Sequence, residues 1–331
     1  QDNELFDQFL EASISVSMRR GFYFNAERLH AYLMKFSLAE RDYLWTSWLQ
    51  DKYDDEENSF SSVKRLIDFA WNIEDDQHQI DDESILLGSI MLGWFFCSAN
   101  RYLRDAATKA LVCLLQHRVH LIPSLLECFR GVNDPYVLER LYAAAYGAVM
   151  RTTQQEKLKA VSEYIYETVF DQREVYPHIL LRDYARGIIE FTLYLKHNPQ
   201  VDVLKIRPPY ISKKLPKRFP SVNTIDKKYR PKGETGNYGG ESWGATAILS
   251  SMTTEYGRGT AWYGDFGRYT FQRGFNDWNV DPKGLSNYAI QRIFEIGYDP
   301  KIFSEFDSRQ GSGRGTGHKE RIGKKYQWII F

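Results

Sequence analysis

Amphipathic periodicity runs through the first 200 residues of the chain. The stretch RYLRDAATKALVCLLQH, residues 101–117, spaces its apolar side chains along one face of a helix and its charged side chains along the other. The apolar positions are Leu103, Ala106, Ala107, Ala110, Leu111 and Leu114. Alanine at three of these positions lets a neighbouring helix approach closely. The pattern therefore predicts a helix that begins after Asn100 and packs against a second helix.

The same pattern returns 34 residues later in DPYVLERLYAAAYGAVMR, residues 134–151. Asp134 is a favourable N-cap, and Pro135 suits the first helical position because its missing N–H has no partner there. The short apolar stretch HLIPSLLECF lies between the two helices. Helix, short partner helix and helix at this spacing predict an all-α, HEAT-like helical repeat array. An irregular all-helical bundle is the alternative.

The periodicity breaks near Pro199, where prolines, glycines and basic residues replace it. Because these residues interrupt regular structure, we predict a Gly- and aromatic-rich irregular insertion, followed by a return to helix after Pro282. Four segments result. They are an N-terminal helical segment with acidic loops (1–83), HEAT-like helical repeats (84–200), a basic Pro-rich linker with the Gly/aromatic-rich insertion (201–283), and a C-terminal helical segment (284–331).

The 43 basic and 43 acidic residues cancel, so overall charge gives no reason to expect a nucleic acid or an anionic membrane as partner. Local charge is uneven: residues 51–83 are acidic and residues 205–232 are basic. The basic stretch supports an alternative function, nucleic-acid binding. Its candidate residues are Lys213, Lys214, Lys217, Arg218, Lys227, Lys228 and Arg230, with Arg321, Lys324 and Lys325 from the C-terminal segment.

Cys97, Cys113 and Cys128 lack the spacing of a zinc site, and we expect reduced core cysteines in a cytoplasmic protein. The first residues lack the features of an export signal, and no apolar run is long enough to span a membrane. We therefore predict no metal, no cofactor and no membrane association.

Aromatic residues are concentrated between residues 243 and 278, among glycine, arginine and asparagine. Aromatic rings and arginine supply much of the contact energy of protein interfaces, although a small loop-rich core has a similar composition. The partner-binding candidates are Trp243, Arg258, Trp262, Tyr263, Arg268 and Trp278.

Two short motifs resemble catalytic signatures. Residues 240–244, GESWG, match the nucleophile elbow of serine hydrolases and make a hydrolase built on Ser242 a second alternative, with Asp265 or Asp299 and His318 following in the required order. No strand is predicted before that motif, although the elbow requires one. The triplet at residues 265–267, DFG, lacks the other motifs of protein kinases.

The glycine-rich stretch GSGRGTGHKERIGKKYQW, residues 311–328, matches neither phosphate-binding pattern. A Walker A loop needs lysine and then serine or threonine after its last glycine, and neither Gly317 nor Gly323 satisfies this. We predict a flexible hinge followed by a helix over residues 318–328, with Glu320 in its first turn and Tyr326 and Trp328 facing inward. Without a nucleotide site, a metal cluster or a carboxylate pair, the chain is predicted not to be an enzyme.

Several blocks together resemble a known family. The stretches VNDPYVLERLYAAAYGAVMR, YGDFGRYTFQ, LSNYAIQRIFEIGYD and HKERIGKKYQW are similar to the C-terminal helical sensor region of bacterial antiviral STAND NTPases of the AVAST class. The similarity covers residues 84–331. It implies a repeat array that detects phage proteins such as the large terminase or the portal. Family members also carry an effector domain and an ATPase core, whose motifs this chain lacks.

The leading hypothesis is therefore a non-catalytic helical recognition module in antiviral defence. Its expected partner is a phage structural or packaging protein, or the remaining chain of a larger defence complex. The apolar last residues, YQWIIF, favour a fragment or a truncated protein that pairs with another chain.

Overall fold

The computed structural model describes residues 2–50, 52–53, 61–73, 80–231, 240–253, 264–275, 277–310 and 319–331. Within these ranges every extended regular element is helical, and β-pairing is limited to an isolated bridge between Asn100 and Lys319. The predicted all-α class is confirmed. No helix in these ranges combines the length and the apolar character that crossing a bilayer would require.

The helices are numbered in chain order. They are α1 (Asp2–Ser15), α2 (Ala26–Leu33), α3 (Leu38–Arg41), α4 (Ser47–Gln50), α5 (Ser62–Trp71), α6 (Asp82–Phe95), α7 (Arg101–Leu115), α8 (Ile122–Cys128), α9 (Pro135–Arg151), α10 (Leu158–Ile165), α11 (Ile179–Tyr194), α12 (Val222–Tyr229), α13 (Trp243–Met252), α14 (Arg273–Phe275), α15 (Pro282–Glu295), α16 (Pro300–Arg309) and α17 (Ile322–Ile330). π-helical turns span Asp42–Thr46, Tyr166–Phe170 and Phe266–Gln272, and 3₁₀ turns span Val119–Leu121 and Gln155–Lys157.

The chain forms two compact units whose boundaries differ from the four predicted segments. The first unit consists of residues 1–36, 49–98 and 102–214, and the second of residues 37–48, 99–101 and 215–331. Most of the predicted insertion, from residue 215 onward, thus belongs to the same unit as the C-terminal segment. Helices α12 and α13 also lie within residues 201–283, where the sequence pattern predicted irregular structure.

The first unit is a stack of helices that repeats along the chain. Its long helices α7, α9 and α11 alternate with the short helices α8 and α10. Helix α9 packs against α11, α10 packs against α8 and α11, and α7 contacts α9. Polar contacts join side chains 34 to 37 residues apart: Asp105 with Arg140, Glu127 with Tyr164, Glu163 with the backbone of Gln200, and Asp171 with Lys205. A nearly constant sequence separation between contacts is what a solenoid produces, because each repeat touches only the next one.

The long helices approach one another at glycines. A Cβ on Gly147 of α9 would lie 2.8 Å from Val112 Cγ2 on α7, and one on Gly187 of α11 would lie 2.8 Å from the Tyr146 ring on α9. The apolar face predicted for α7 is fully buried against this stack, including Leu103, Ala110 and Leu114. Asp134 caps α9 by accepting a hydrogen bond from the N–H of Tyr136 at 3.0 Å, as predicted. The repeat array is therefore built by close contact between helix faces.

The second unit has its own core, formed mainly by α12, α13, α15, α16 and α17. Asp-Pro pairs start both α15 and α16, where Asp281 and Asp299 each accept a hydrogen bond from the backbone two residues later. Gly297 follows α15 with φ +112°, a conformation that glycine adopts without strain and that is common just after the end of a helix. Residues 37–48 join this unit through an ion pair between Asp42 and Lys325, both of which are fully buried.

Candidate protein-recognition surface

A π-helical turn places one aromatic ring of the second unit in solvent. Residues five apart lie above one another in a π-helix, and Phe266 and Phe271 accordingly both point into the core. Tyr269 lies between them in sequence and is 49% exposed. Single π-helical turns occur frequently at functional sites. The turn separates a buried aromatic pair from an outward-facing tyrosine.

Two more exposed rings lie beside the same core, Trp328 in helix α17 and Phe331 directly after it. Trp328 meets the Phe266 ring edge-on at 5.0 Å, and Phe331 meets the Phe271 ring edge-on at 5.3 Å. Trp328 nevertheless remains 40% exposed and Phe331 45% exposed. The prediction that Trp328 faces inward is therefore wrong, whereas Tyr326 is fully buried as predicted.

Cationic side chains lie over these rings. The guanidinium groups of Arg268 and Arg273 lie 5.1 and 5.2 Å from the centre of the Tyr269 ring. The Lys324 ammonium lies 4.6 Å from the Phe266 ring centre and 5.8 Å from that of Trp328, and burial lowers the pKa of Lys324. Distances below about 6 Å are typical of cation–π attraction. We call this set the aromatic–cation surface: Arg268, Tyr269, Arg273, Lys324, Trp328 and Phe331.

The partner-binding candidates predicted from the sequence differ in location and exposure. Arg268 belongs to the aromatic–cation surface, and Trp278 is 67% exposed. Trp243 is half-buried, with the Arg321 guanidinium 5.4 Å from its ring centre. Arg258, Trp262 and Tyr263 lie outside the described residues.

Comparisons with known proteins give no match. No protein-family model, no curated protein and no solved structure is significantly similar to this chain. The function must therefore be argued from the residues themselves.

The start of α17 is the place where a phosphate would bind if the glycine-rich stretch were a phosphate cradle. It is occupied by the carboxylate of Asp307, which accepts hydrogen bonds from the N–H groups of Ile322 at 2.6 Å and Gly323 at 2.9 Å. The Tyr298 hydroxyl donates a third hydrogen bond to this carboxylate at 2.9 Å. Burial raises the pKa of Asp307 to about 6, although these hydrogen bonds oppose the shift. An internal side chain thus fills the anion site.

Helix α17 begins at Ile322, so Glu320 precedes it rather than lying in its first turn. The reason is the same contact, because Asp307 supplies the cap at that point. The predicted hinge at residues 311–317 lies outside the described part of the chain.

A recess next to Asp307 is too small for an organic ligand. Its cavity volume is about 10 Å³, and it is lined in part by Ile248, Arg321 and Gln327. A volume of roughly 10–15 Å³ holds a single water molecule. Pockets for small molecules usually measure about 300–1,000 Å³. Among the residues that the structure describes, no group of three or more metal-ligating side chains comes together.

The basic candidates differ in whether they are exposed. Lys325 is fully buried and donates to Asp42 Oδ1 at 2.6 Å, so it is unavailable to a phosphate and its inclusion was wrong. Arg230 pairs with Asp226 at 3.0 Å. The remaining candidates of the stretch are exposed: Lys213 and Lys214 in the first unit, and Lys217, Arg218, Lys227 and Lys228 in the second.

The structure also describes the two motifs that resemble catalytic signatures, residues 240–244 and 265–267. Ser242 directly precedes α13, but no strand lies before it in the described chain, and His318 lies outside the described residues. At the DFG triplet, a Cβ on Gly267 would lie 2.4 Å from the carbonyl oxygen of Thr253. Glycine is needed there because the π-helical turn lies directly against the end of α13.

The sequence pattern does not single out Arg273, Trp328 or Phe331 as candidate recognition residues, and Tyr269 is only one of many aromatic residues between 243 and 278. The spacing of Tyr269 and Arg273, four residues apart, is the pattern that could have identified their contact.

Proposed function

We propose that this chain is a non-catalytic helical recognition module that binds a protein partner through the aromatic–cation surface. The supporting observation is the placement of Arg268 and Arg273 over the exposed ring of Tyr269. Tyrosine, tryptophan and arginine are the residues most enriched at the energetic centres of protein interfaces. Rings already held by cations lose little conformational entropy on binding.

The partner that we propose is a phage structural or packaging protein of the terminase or portal type. This part of the proposal rests on the sequence blocks that resemble the sensor region of antiviral STAND NTPases. We propose a role in antiviral defence on the same resemblance, and a cytoplasmic location on the three scattered free cysteines. The remaining chain of a larger defence complex is the other protein partner compatible with such a surface.

The test is a binding measurement with purified proteins. The chain would be immobilised and exposed to a phage large terminase and to a phage portal protein, at two salt concentrations. We expect one of them to bind, and Tyr269→Ala to weaken that binding by about 10-fold or more, as for an interface hot spot. Tyr194→Ala is the matched control, because Tyr194 is an exposed tyrosine of the first unit.

Equal binding by wild type and the Tyr269→Ala variant would overturn the assignment of this surface. Failure of both phage proteins to bind would overturn the proposed partner. Binding to nucleic acid alone, with affinity falling steeply with salt, would favour the basic stretch and a nucleic-acid function instead, because phosphate contacts release counterions.

A further inference from the structure

Three consecutive aromatic residues are exposed in the turn between α1 and α2 of the first unit. Phe22 is 42%, Tyr23 63% and Phe24 47% accessible to solvent. Their rings touch one another: Tyr23 and Phe24 meet edge-on at 4.9 Å, and Phe22 and Phe24 lie 6.2 Å apart. Contiguous exposed apolar surface of this kind is uncommon on a soluble protein and usually marks an interaction site.

Backbone conformation and hydrogen bonds on both sides of the turn keep the three rings at the surface. Gly21 before it has φ +69°, a conformation that other residues rarely adopt. Asn25 after it caps α2 by accepting a hydrogen bond from the N–H of Glu27 at 3.1 Å, and the N–H of Ala26 bonds to the carbonyl of Ser17 at 2.9 Å. Ala26 is completely buried. The rings are therefore fixed at the surface by the backbone rather than displaced from the core.

A basic side chain covers one of the rings. The Arg28 guanidinium lies 4.7 Å from the centre of the Tyr23 ring. Tyr32, one helical turn further along α2, is 55% exposed. Arg19 and Lys35 are also exposed. Of the nearby acidic residues, Glu27 is exposed, Glu83 pairs with Arg20 at 3.5 Å, and Asp81 accepts a hydrogen bond from the Ser84 N–H at 3.0 Å. We call Phe22, Tyr23, Phe24, Arg28 and Tyr32 the aromatic ridge.

We infer that the aromatic ridge is a second docking site, which takes a protein segment carrying apolar side chains next to carboxylates. The apolar side chains would cover the rings, and the carboxylates would meet Arg19, Arg28 and Lys35. Charge complementarity indicates a negatively charged partner, since Arg19, Arg28 and Lys35 form no ion pair with any described residue, whereas Glu83 is already paired with Arg20. The inference concerns the first unit only and does not depend on the function proposed for the second.

Ring geometry favours a protein over a single-stranded nucleic acid. Successive bases stack on aromatic faces that they can reach in parallel. Here the ring planes are inclined by 58° and 89° to one another, and a guanidinium lies over Tyr23. A compact ridge of tilted rings fits between the side chains of a partner protein instead.

The test uses a random peptide display library, selected on the intact chain and counter-selected on a Tyr23→Ser, Arg28→Ser double variant. Both side chains are exposed, so the double variant should keep the wild-type far-UV spectrum and unfolding temperature. We expect peptides enriched in aspartate or glutamate beside aromatic or aliphatic residues. The double variant should bind them about 10-fold more weakly or worse. Tyr194→Ser and Tyr269→Ser should both bind them like wild type.

Three results would overturn the inference: no peptides that distinguish wild type from the double variant, selected peptides without acidic residues, or equal loss of binding on Tyr194→Ser. A fluorescent oligothymidine provides the remaining comparison. Binding of that oligonucleotide, lost in the double variant, would replace the protein partner with a nucleic acid. Loss of peptide binding on Tyr269→Ser would place the docking site on the second unit instead.

Discussion

The buried ion pair of the second unit gives the strongest stability prediction. Lys325 Nζ lies 2.6 Å from Asp42 Oδ1, both side chains are completely buried, and the Thr46 hydroxyl donates to the same oxygen at 2.6 Å. Lys325→Met removes the ammonium but keeps most of the length of the side chain. The carboxylate then remains in the core without that cation, and we expect a loss of about 3–5 kcal/mol in the free energy of unfolding.

A second substitution separates charge from packing. Asp42→Leu on the Lys325→Met background replaces the whole pair by apolar side chains. Apolar replacement of a buried pair is often neutral or stabilising, so we expect the double variant to recover much of the loss. A destabilising Lys325→Met that Asp42→Leu rescues would demonstrate direct coupling between residues 283 positions apart in sequence.

The measurement is hydrogen exchange by mass spectrometry, together with urea unfolding. Hydrogen exchange reports the stability of each unit separately. Urea unfolding alone would not, because a chain of this size need not unfold in a two-state transition. Peptides covering α17 and residues 42–46 should lose protection first. Lys301→Met is the control, because Lys301 is an exposed lysine of α16 in the same unit. Equal destabilisation by Lys325→Met and Lys301→Met would refute the reasoning.

Three further predictions concern single positions. Gly147→Ala should destabilise the first unit by about 1–3 kcal/mol in urea unfolding, despite the better helix propensity of alanine, because the new Cβ would lie 2.8 Å from Val112. His30 accepts from Trp94 and lies 3.1 Å from the Cys128 carbonyl, and burial lowers its pKa below 6.5. The unfolded chain thus binds the proton first, and stability should fall as the pH drops below that value, less steeply in His30→Gln. Asp307→Ala should cost about 1–3 kcal/mol and expose the start of α17 to exchange, since two backbone N–H groups lose their acceptor.

Local patterns were sufficient to predict helices α7 and α9 of the first unit. The apolar face of α7 and the Asp134 cap of α9 each depend on residues that are close together in sequence. Periodicity and cap chemistry therefore identify them. Helix α12 was missed because most of its side chains are polar and it lies among prolines and basic residues, with Ile225 its only fully buried position. Residues 37–48 could not be assigned to the second unit, because that assignment depends on a contact with Lys325 far along the chain.

The role of a charged residue is harder to predict from sequence than a helix is, because that role depends on side chains far away along the chain. In the stretch ERIGKKYQW, residues 320–328, three cations look equivalent in sequence. Arg321 lies over the Trp243 ring, and Lys324 lies over the rings of Phe266 and Trp328. Lys325, the next residue on the helix, points in another direction and pairs with Asp42 in the core. A count of basic residues therefore overestimates the charge available to a phosphate backbone, and of these three cations Lys324 alone is part of the aromatic–cation surface.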